Sequence, residues 1–259
     1  MRIAVFADVH GNLLALEAVL ADIASRSPDV TVNLGDCLSG PLQAAATADL
    51  LMSRDFLTIR GNHDRQLLDR PFDQMGAADQ AAYSEISDSH RAWLATFPAT
   101  AVLDDMFLCH GSPDSDLTYL LEHVGPNGAS LAPPEQVRDL VRGISQPVVL
   151  CGHTHMQRAV TVADGPLVIN PGSVGLPAFR DDVPYPHMIQ SGSPHARYAI
   201  LDESGGHWRA AFIAVEYDWD SAAALAEKSG SPWARAIATG YAPVPQRPVF
   251  LHASPARPR

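Results

Sequence analysis

Arg2-Ile3-Ala4-Val5-Phe6-Ala7-Asp8-Val9-His10-Gly11-Asn12 opens the chain with an apolar run that stops at two polar side chains. A short, near-continuous apolar run of this kind reads as a buried strand, Arg2 to Ala7. Leu13 to Ser25 follows with helical spacing of apolar residues and good helix formers. The pattern then repeats. Val30 to Leu34 is a second strand closing on Gly35-Asp36, Ala44 to Met52 a second helix, and Phe56 to Ile59 a third strand closing on Gly61-Asn62. Strand, helix, strand, helix, strand, with polar residues at each strand's C-terminal end, predicts an α/β layered fold with its site at the strand ends.

Beyond this frame, Arg65 to Phe97 reads as helical, with Trp93, Leu94 and Phe97 as apolar anchors. Ala101 to Leu103 and Met106 to Cys109 flank Asp104-Asp105 as a hairpin. Ser112 to Pro134, rich in Pro, Gly, Asp and Ser, reads as a long loop over the site. Glu135 to Arg142 is a helix, and Pro147 to Leu150 a strand ending at Cys151-Gly152-His153. Val160 to Val162 and Leu167 to Ile169 form a further hairpin, and Tyr198 to Leu201 and Trp208 to Val215 are late strands. Pro177 to Pro194 reads as a second loop, and Ser221 to Ala238 as a helix broken near Gly230-Ser231-Pro232. The expected architecture is a four-layer α-β-β-α sandwich of two stacked mixed sheets flanked by helices. It is expected as a single catalytic domain over 1–242, with a helical excursion near the site over 65–100 and a proline-rich tail over 243–259.

Bulk properties narrow the function. The 259 residues are 46% hydrophobic and 18% charged, which fits a soluble globular chain. No run approaches the roughly 20 apolar residues of a membrane span. The opening apolar run ends too early, at Asp8 and His10, to read as an export signal. A formal net charge of −11 disfavours broad nucleic-acid binding. The three cysteines, Cys37, Cys109 and Cys151, are odd in number and lack a CxxC spacing. A disulfide framework and a cysteine zinc site are therefore not expected, and buried filler thiols in a cytoplasmic protein are.

Five short motifs each follow an apolar strand and each offer metal ligands: Asp8-Val9-His10, Gly35-Asp36, Gly61-Asn62-His63-Asp64, His110-Gly111 and Gly152-His153-Thr154-His155. On extended chain, Asp-x-His and His-x-His pairs project from one face. Four histidines, two aspartates and an asparagine make a mixed N/O donor set. It suits manganese or iron, with zinc, cobalt or nickel as alternatives, better than magnesium or calcium.

The order and content of these motifs resemble the calcineurin-like metallophosphoesterase family over about the first 200 residues. The Asp-x-His-Gly-Asn opening and the stretch Asn170-Pro171-Gly172-Ser173-Val174-Gly175 resemble its bacterial and archaeal branch, which includes phosphodiesterases and enzymes cleaving diadenosine polyphosphates. The resemblance implies a dinuclear centre. Asp8, His10 and His155 would hold one metal, Asn62, His110 and His153 the other, and Asp36 would bridge them. It further implies in-line attack on phosphorus by a metal-bridging hydroxide, with His63 protonating the leaving oxygen or stabilising charge on phosphate. The implied substrates are small phosphodiesters, nucleotides or dinucleoside polyphosphates. Asn12, Arg60 and Arg180 are the candidate phosphate contacts.

The chain departs from the protein-phosphatase branch. Gly35-Asp36-Cys37-Leu38-Ser39-Gly40-Pro41 lacks the Asp-Arg pair that orients the catalytic histidine there, so the partner of His63 is open, with Asp64 merely adjacent. Two other readings are a non-catalytic scaffold of the same fold, against which His63 counts, and a nuclease, against which the acidic balance counts.

Overall fold

The structure, a computed structural model, describes residues 1–243. The proline-rich tail expected over 243–259 therefore lies outside the described residues, apart from Pro243. The first half of the chain runs β1 (Arg2–Phe6), α1 (Leu13–Arg26), β2 (Val30–Asn33), α2 (Ala44–Met52) and β3 (Leu57–Thr58). The strand–helix alternation read from the sequence is thus present with boundaries within about two residues. In α1, the Asn12 side chain accepts the N–H of Ala15. Ala15, Leu16, Val19 and Ile23 form the buried stripe. Ser27, in the left-handed region, ends the helix.

The 65–100 segment is not one helix. It holds α3 (Asn62–Asp69), a 3-10 turn at Phe72–Gln74, α4 (Ala77–Glu85) and α5 (Asp88–Leu94). Pro71 and Gly76 divide it, and the Ser87 hydroxyl accepts the N–H of His90 to start α5.

The second half runs β4 (Thr100–Leu103), β5 (Met106–Cys109), β6 (Glu122–Gly125), β7 (Gly128–Leu131), α6 (Pro134–Leu140), β8 (Val148–Leu150), β9 (Gln157–Thr161) and β10 (Leu167–Pro171). It continues through β11 (Ala178–Asp181), β12 (His187–Gln190), β13 (Ala196–Ser204), β14 (His207–Val215), α7 (Trp219–Lys228) and α8 (Trp233–Thr239). Two segments expected as loops carry hairpins instead. In 112–134, β6 and β7 pair from Glu122↔Leu131 to Gly125↔Gly128, so Pro126-Asn127 is the turn. In 177–194, β11 and β12 pair from Ala178↔Gln190 to Asp181↔His187. The turn residues that made both segments read as loop mark the hairpin tips.

One five-stranded sheet has the order β14-β13-β1-β2-β3 and the other β4-β5-β8-β10-β9. Both are mixed: β1 lies parallel to β2 and antiparallel to β13, and β8 lies parallel to β5 and β10, which is antiparallel to β9. Period-two alternation along β1 explains the stacking. Ile3, Val5 and Ala7 join Leu108, Val148, Leu150 and Ile169 in the core between the sheets. Ala4 and Phe6 face outward onto Leu16, Val19 and Ile23 of α1. Full burial of each large apolar side chain contributes about 1.5–3 kcal/mol. On the far side, Val149 and Val168 pack with Val137 of α6. The expected four-layer sandwich is the observed one. α7 and α8 pack on Leu42, Leu176 and Ala178, which brings Trp233 to the strand ends. Among the described residues no helix is long and apolar enough to cross a membrane.

Candidate metal and active site

The five motifs meet at one end of the two sheets, and the backbone there is unusual. Asp8, His10, Asp36, His153 and His155 all have positive φ, between 51° and 69°. Asp and His tolerate this region better than most residues, but a run of five is a local cost that the surrounding structure must impose. The extended Asp-x-His and His-x-His geometry expected from the sequence is therefore replaced by left-handed turns. Hydrogen bonds hold those turns. The N–H of Asp8 donates to the carbonyl of Gly35 at 2.9 Å and that of His10 to the carbonyl of Asp36 at 3.0 Å. Asn170 Nδ2 donates to the carbonyl of Gly152 at 2.6 Å, and the hydroxyl of Ser173 donates to the carbonyl of Asp8 at 2.8 Å. A β-carbon on Gly175 would lie 1.8 Å from the carbonyl oxygen of Val9, so the Asn170–Gly175 stretch is a structural clamp that requires glycine there.

Two buried or half-buried groups result: Asp8, His10 and His155, and Asp36, His110 and His153. Within each, the potential ligand atoms lie within 4.8 Å of one another. Asn62 Oδ1 is 3.1 Å from His110 Nε2 and joins the second group. Asp36 Oδ2 is 3.2 Å from His110 Nε2 and 3.9 Å from His10 Nε2, so its carboxylate reaches toward both. Ring orientation is fixed from outside. Nδ1 of His10, His110 and His155 meets the carbonyls of Ser39, Leu34 and Leu176 at 2.8, 2.8 and 2.6 Å. A carbonyl only accepts, so each Nδ1 carries a proton and Nε2 is the nitrogen turned inward. His153 is turned the other way: its Nε2 meets the carbonyl of Leu117 at 3.2 Å, which leaves Nδ1 for the site.

The donor set fits cations. His10 Nε2 and His155 Nε2 approach to 3.2 Å with their Nδ1 positions already protonated, so two lone pairs converge. Asp8 Oδ1 is buried with no hydrogen-bond partner, 3.4 Å from His155 Nε2. A buried carboxylate oxygen without a partner is costly unless a positive charge lies beside it. Titration follows the same charge balance. Burial, and then the neighbouring His155, lowers His10 to about 4, which leaves it neutral near pH 7. Burial also works against charge on His110, but Asp36 and then Asp8 outweigh it and raise this ring to about 10.

His63 lies outside both groups. Its N–H donates to Asp36 Oδ1 at 2.9 Å, while its ring lines the cavity. Nδ1 meets Asp79 Oδ1 at 2.7 Å, and the Ser39 hydroxyl donates to the same oxygen at 2.5 Å. Burial opposes charge on His63, but Asp36 and then Asp79 raise it to about 9. Asp64 is not its partner. Asp64 accepts the N–H groups of Asp36, Cys37 and Gly61 at 2.8, 2.9 and 3.0 Å and ties the second motif to the start of α3. Neither Asp79 nor this use of Asp64 was readable from the sequence.

A cavity of about 690 Å³ opens above these groups, lined by His10, Asp36, Asn62, His63, His153 and His155 at its floor. Its walls include Tyr119, Phe179 and Trp233, which sequence reasoning missed. Each meets a floor histidine roughly edge to face: Tyr119 with His153, Phe179 with His155, and Trp233 with His10. Of the three candidate phosphate contacts, Arg180 lines the cavity, exposed and paired with Asp182 at 2.7 Å. Asn12 and Arg60 do not line it. Asn12 is buried, with its amide donating to the carbonyl of Gly175 at 3.0 Å and its oxygen capping α1. The cysteines are the expected buried fillers, with burial pushing Cys109 up to about 12.

Comparison with known proteins agrees with this geometry. Residues 1–189 match the model of the calcineurin-like phosphoesterase superfamily domain, and the chain belongs to that superfamily. An uncharacterized protein of Methanocaldococcus jannaschii is 25% identical over 227 residues, covering 83% of this chain and 88% of that protein. The crystal structure of a metallophosphoesterase from Sphaerobacter thermophilus superposes with a TM-score of 0.68 at 25% identity, covering 90% of this chain and 95% of the other. A hypothetical protein from Pyrococcus horikoshii OT3 superposes with a TM-score of 0.73 at 19% identity, covering 93% and 99%, a likeness of fold.

Proposed function

We propose that the chain is a dinuclear-metal phosphoesterase that hydrolyses small phosphodiesters, nucleotides or dinucleoside polyphosphates. The observation that carries this reading is the buried, partnerless Asp8 Oδ1 among inward-facing histidine nitrogens, at the floor of a cavity that His63 also lines. Asp8, His10 and His155 would hold one ion. Asn62, His110 and His153 would hold the other, with Asp36 between the two groups. Manganese or iron is the first choice for this donor set. When bound, the ions supply Lewis-acid activation of water and neutralise phosphate charge.

The chain's own residues do the rest. The backbone carbonyls of Ser39, Leu34, Leu176 and Leu117 fix the ligand tautomers. His63 meets the departing oxygen with Nε2, donating a proton to it. A cavity of about 690 Å³ exceeds what one phosphate fills, and its three aromatic walls favour an organic, ring-bearing substituent on the ester. Arg180, which lines the cavity, would meet a second phosphate or a diester's far substituent.

The test is metal analysis of protein purified without added metal, followed on the same preparation by a panel of aryl phosphates, bis-aryl phosphates, nucleotides and dinucleoside polyphosphates. Hydrolysis that depends on the bound metal supports the reading. Protein loaded with manganese or iron that cleaves no phosphoester in the panel would overturn it.

A further inference from the structure

The loop after Asp36 lacks a carboxylate for the catalytic histidine, yet His63 is held by one. Asp79 comes from α4, sixteen residues on, in the helical excursion near the site. Its side chain is 1% exposed and its Oδ1 sits 2.7 Å from His63 Nδ1. The same oxygen accepts the Ser39 hydroxyl at 2.5 Å, and Ser39 also uses its carbonyl to fix His10 Nδ1 at 2.8 Å. The His63 and His10 rings stand edge to face with centroids 5.5 Å apart. One buried carboxylate and one serine thus set the plane of His63 relative to the floor of the cavity.

We infer that Asp79 is a positioning residue: delivered by α4 and clamped by Ser39, it accepts the Nδ1 proton of His63 and aims Nε2 into the cavity. The reading rests on the proposed phosphoesterase function of the same site. A carboxylate accepts from Nδ1–H and leaves Nε2 as the nitrogen that faces substrate, which is how an orienting carboxylate serves a catalytic imidazole elsewhere. Among the described residues Nε2 of His63 has no protein partner, while Nδ1 has two neighbours, Asp79 and Ser39. In the reaction, water oxygen bonds to phosphorus as the bond from phosphorus to the leaving oxygen breaks. The electron pair leaves with that oxygen, which takes the Nε2 proton of the imidazolium; one proton of the attacking water then restores His63 and the other stays on the phosphate product. Asp79 exchanges nothing. It holds the ring through which the proton passes. The helical segment is thereby part of the turnover machinery.

The experiment is a double-mutant cycle on the metal-loaded protein with Asp79→Asn, His63→Gln and the pair, reading kcat and KM separately. Asp79→Asn is expected to lower kcat about 10- to 100-fold, with KM changed less than about threefold. In the His63→Gln background the same change is expected to alter kcat less than about twofold, because its only route is through His63. Equal losses in both backgrounds, or a loss confined to KM, would overturn the inference. Ser39→Ala, which leaves both partners in place, gives a smaller fall in kcat by the same route and serves if Asp79→Asn fails to fold. A second readout needs neither activity nor a variant of Asp79: nitrogen-15 spectra of zinc-loaded protein, with His63 assigned by its substitution, should show Nδ1 protonated. Nδ1 without a proton would overturn the inference even in an active enzyme. A protein that hydrolyses no phosphoester but shows the Nδ1 proton would instead count against the phosphoesterase reading alone.

Discussion

Asp64 accepts the backbone N–H of Asp36 at 2.8 Å, so the carboxylate beside His63 in sequence serves the backbone of Asp36 in space. It also receives Cys37 and Gly61 and is fully buried. Removing it strands three buried donors, each costing about 1–3 kcal/mol. Asp64→Ala is therefore expected to lower unfolding free energy by about 3 kcal/mol or more and to weaken metal binding. Urea unfolding of the metal-free protein measures the first. A change under about 1 kcal/mol would contradict the assigned role.

Gly61 is needed for a different reason. A β-carbon there would lie 2.1 Å from Asp36 Oδ1, although the backbone angles at Gly61 suit any residue. Gly61→Ala is expected to fold with a stability loss of about 1–3 kcal/mol while displacing the Asp36 carboxylate. Metal analysis should then find fewer ions per chain than in the unaltered protein. Full occupancy in the variant would show that Asp36 is not a shared ligand.

The placement of the site was legible because a buried strand must stop where the chain turns polar, and Asp8, Asp36, Asn62, His110 and His153 all stand at such stops. Their geometry was not. Whether Asp8 and His10 are extended or left-handed depends on bonds to Gly35 and Asp36, which no local pattern encodes. Asp79 was hidden because one acidic residue in a polar helical segment has no marker until folding brings it to His63. Trp233 reaches the cavity only through the packing of α8 on Leu42 and Leu176, nearly the whole chain away from Asp8. The hairpins in 112–134 and 177–194 were masked by the same Pro, Gly and Asn residues that form their tips.

Proton release should accompany metal binding. His110 is raised to about 10 and so carries two ring protons near pH 7, one of which a metal at Nε2 must displace. Affinity is therefore expected to rise with pH between about 6 and 9. Titration calorimetry at pH 7 in buffers of different ionisation enthalpy should show net proton release. Identical heats in all buffers would contradict it.

Acid stability should depend in part on Asp22. Hydrogen bonds from Arg26, then from Tyr198, lower its pKa below the ordinary carboxylate value. A carboxyl depressed in the folded state contributes stability above its unfolded pKa and loses it as pH falls. The destabilisation caused by Asp22→Asn at pH 7 is therefore expected to shrink below about pH 4, as followed by thermal unfolding. A difference that is constant from pH 7 to pH 3 would refute the linkage.

His63 should matter most where the leaving group most needs a proton. His63→Gln is expected to lower kcat about 100-fold or more on alkyl esters and much less on 4-nitrophenyl esters. A uniform loss across leaving groups would move its role from proton donation to stabilising charge on the phosphate.

The central claim is that both groups of ligands bind metal and that this binding drives phosphoester hydrolysis. Its most direct measurement is the count of tightly bound transition-metal ions per chain, read alongside hydrolysis of a bis-aryl phosphate on the same sample. Two ions are expected, one for each group, with activity rising as the second is loaded. A chain that retains one ion or none under saturating metal, or that holds two and cleaves nothing, would contradict it.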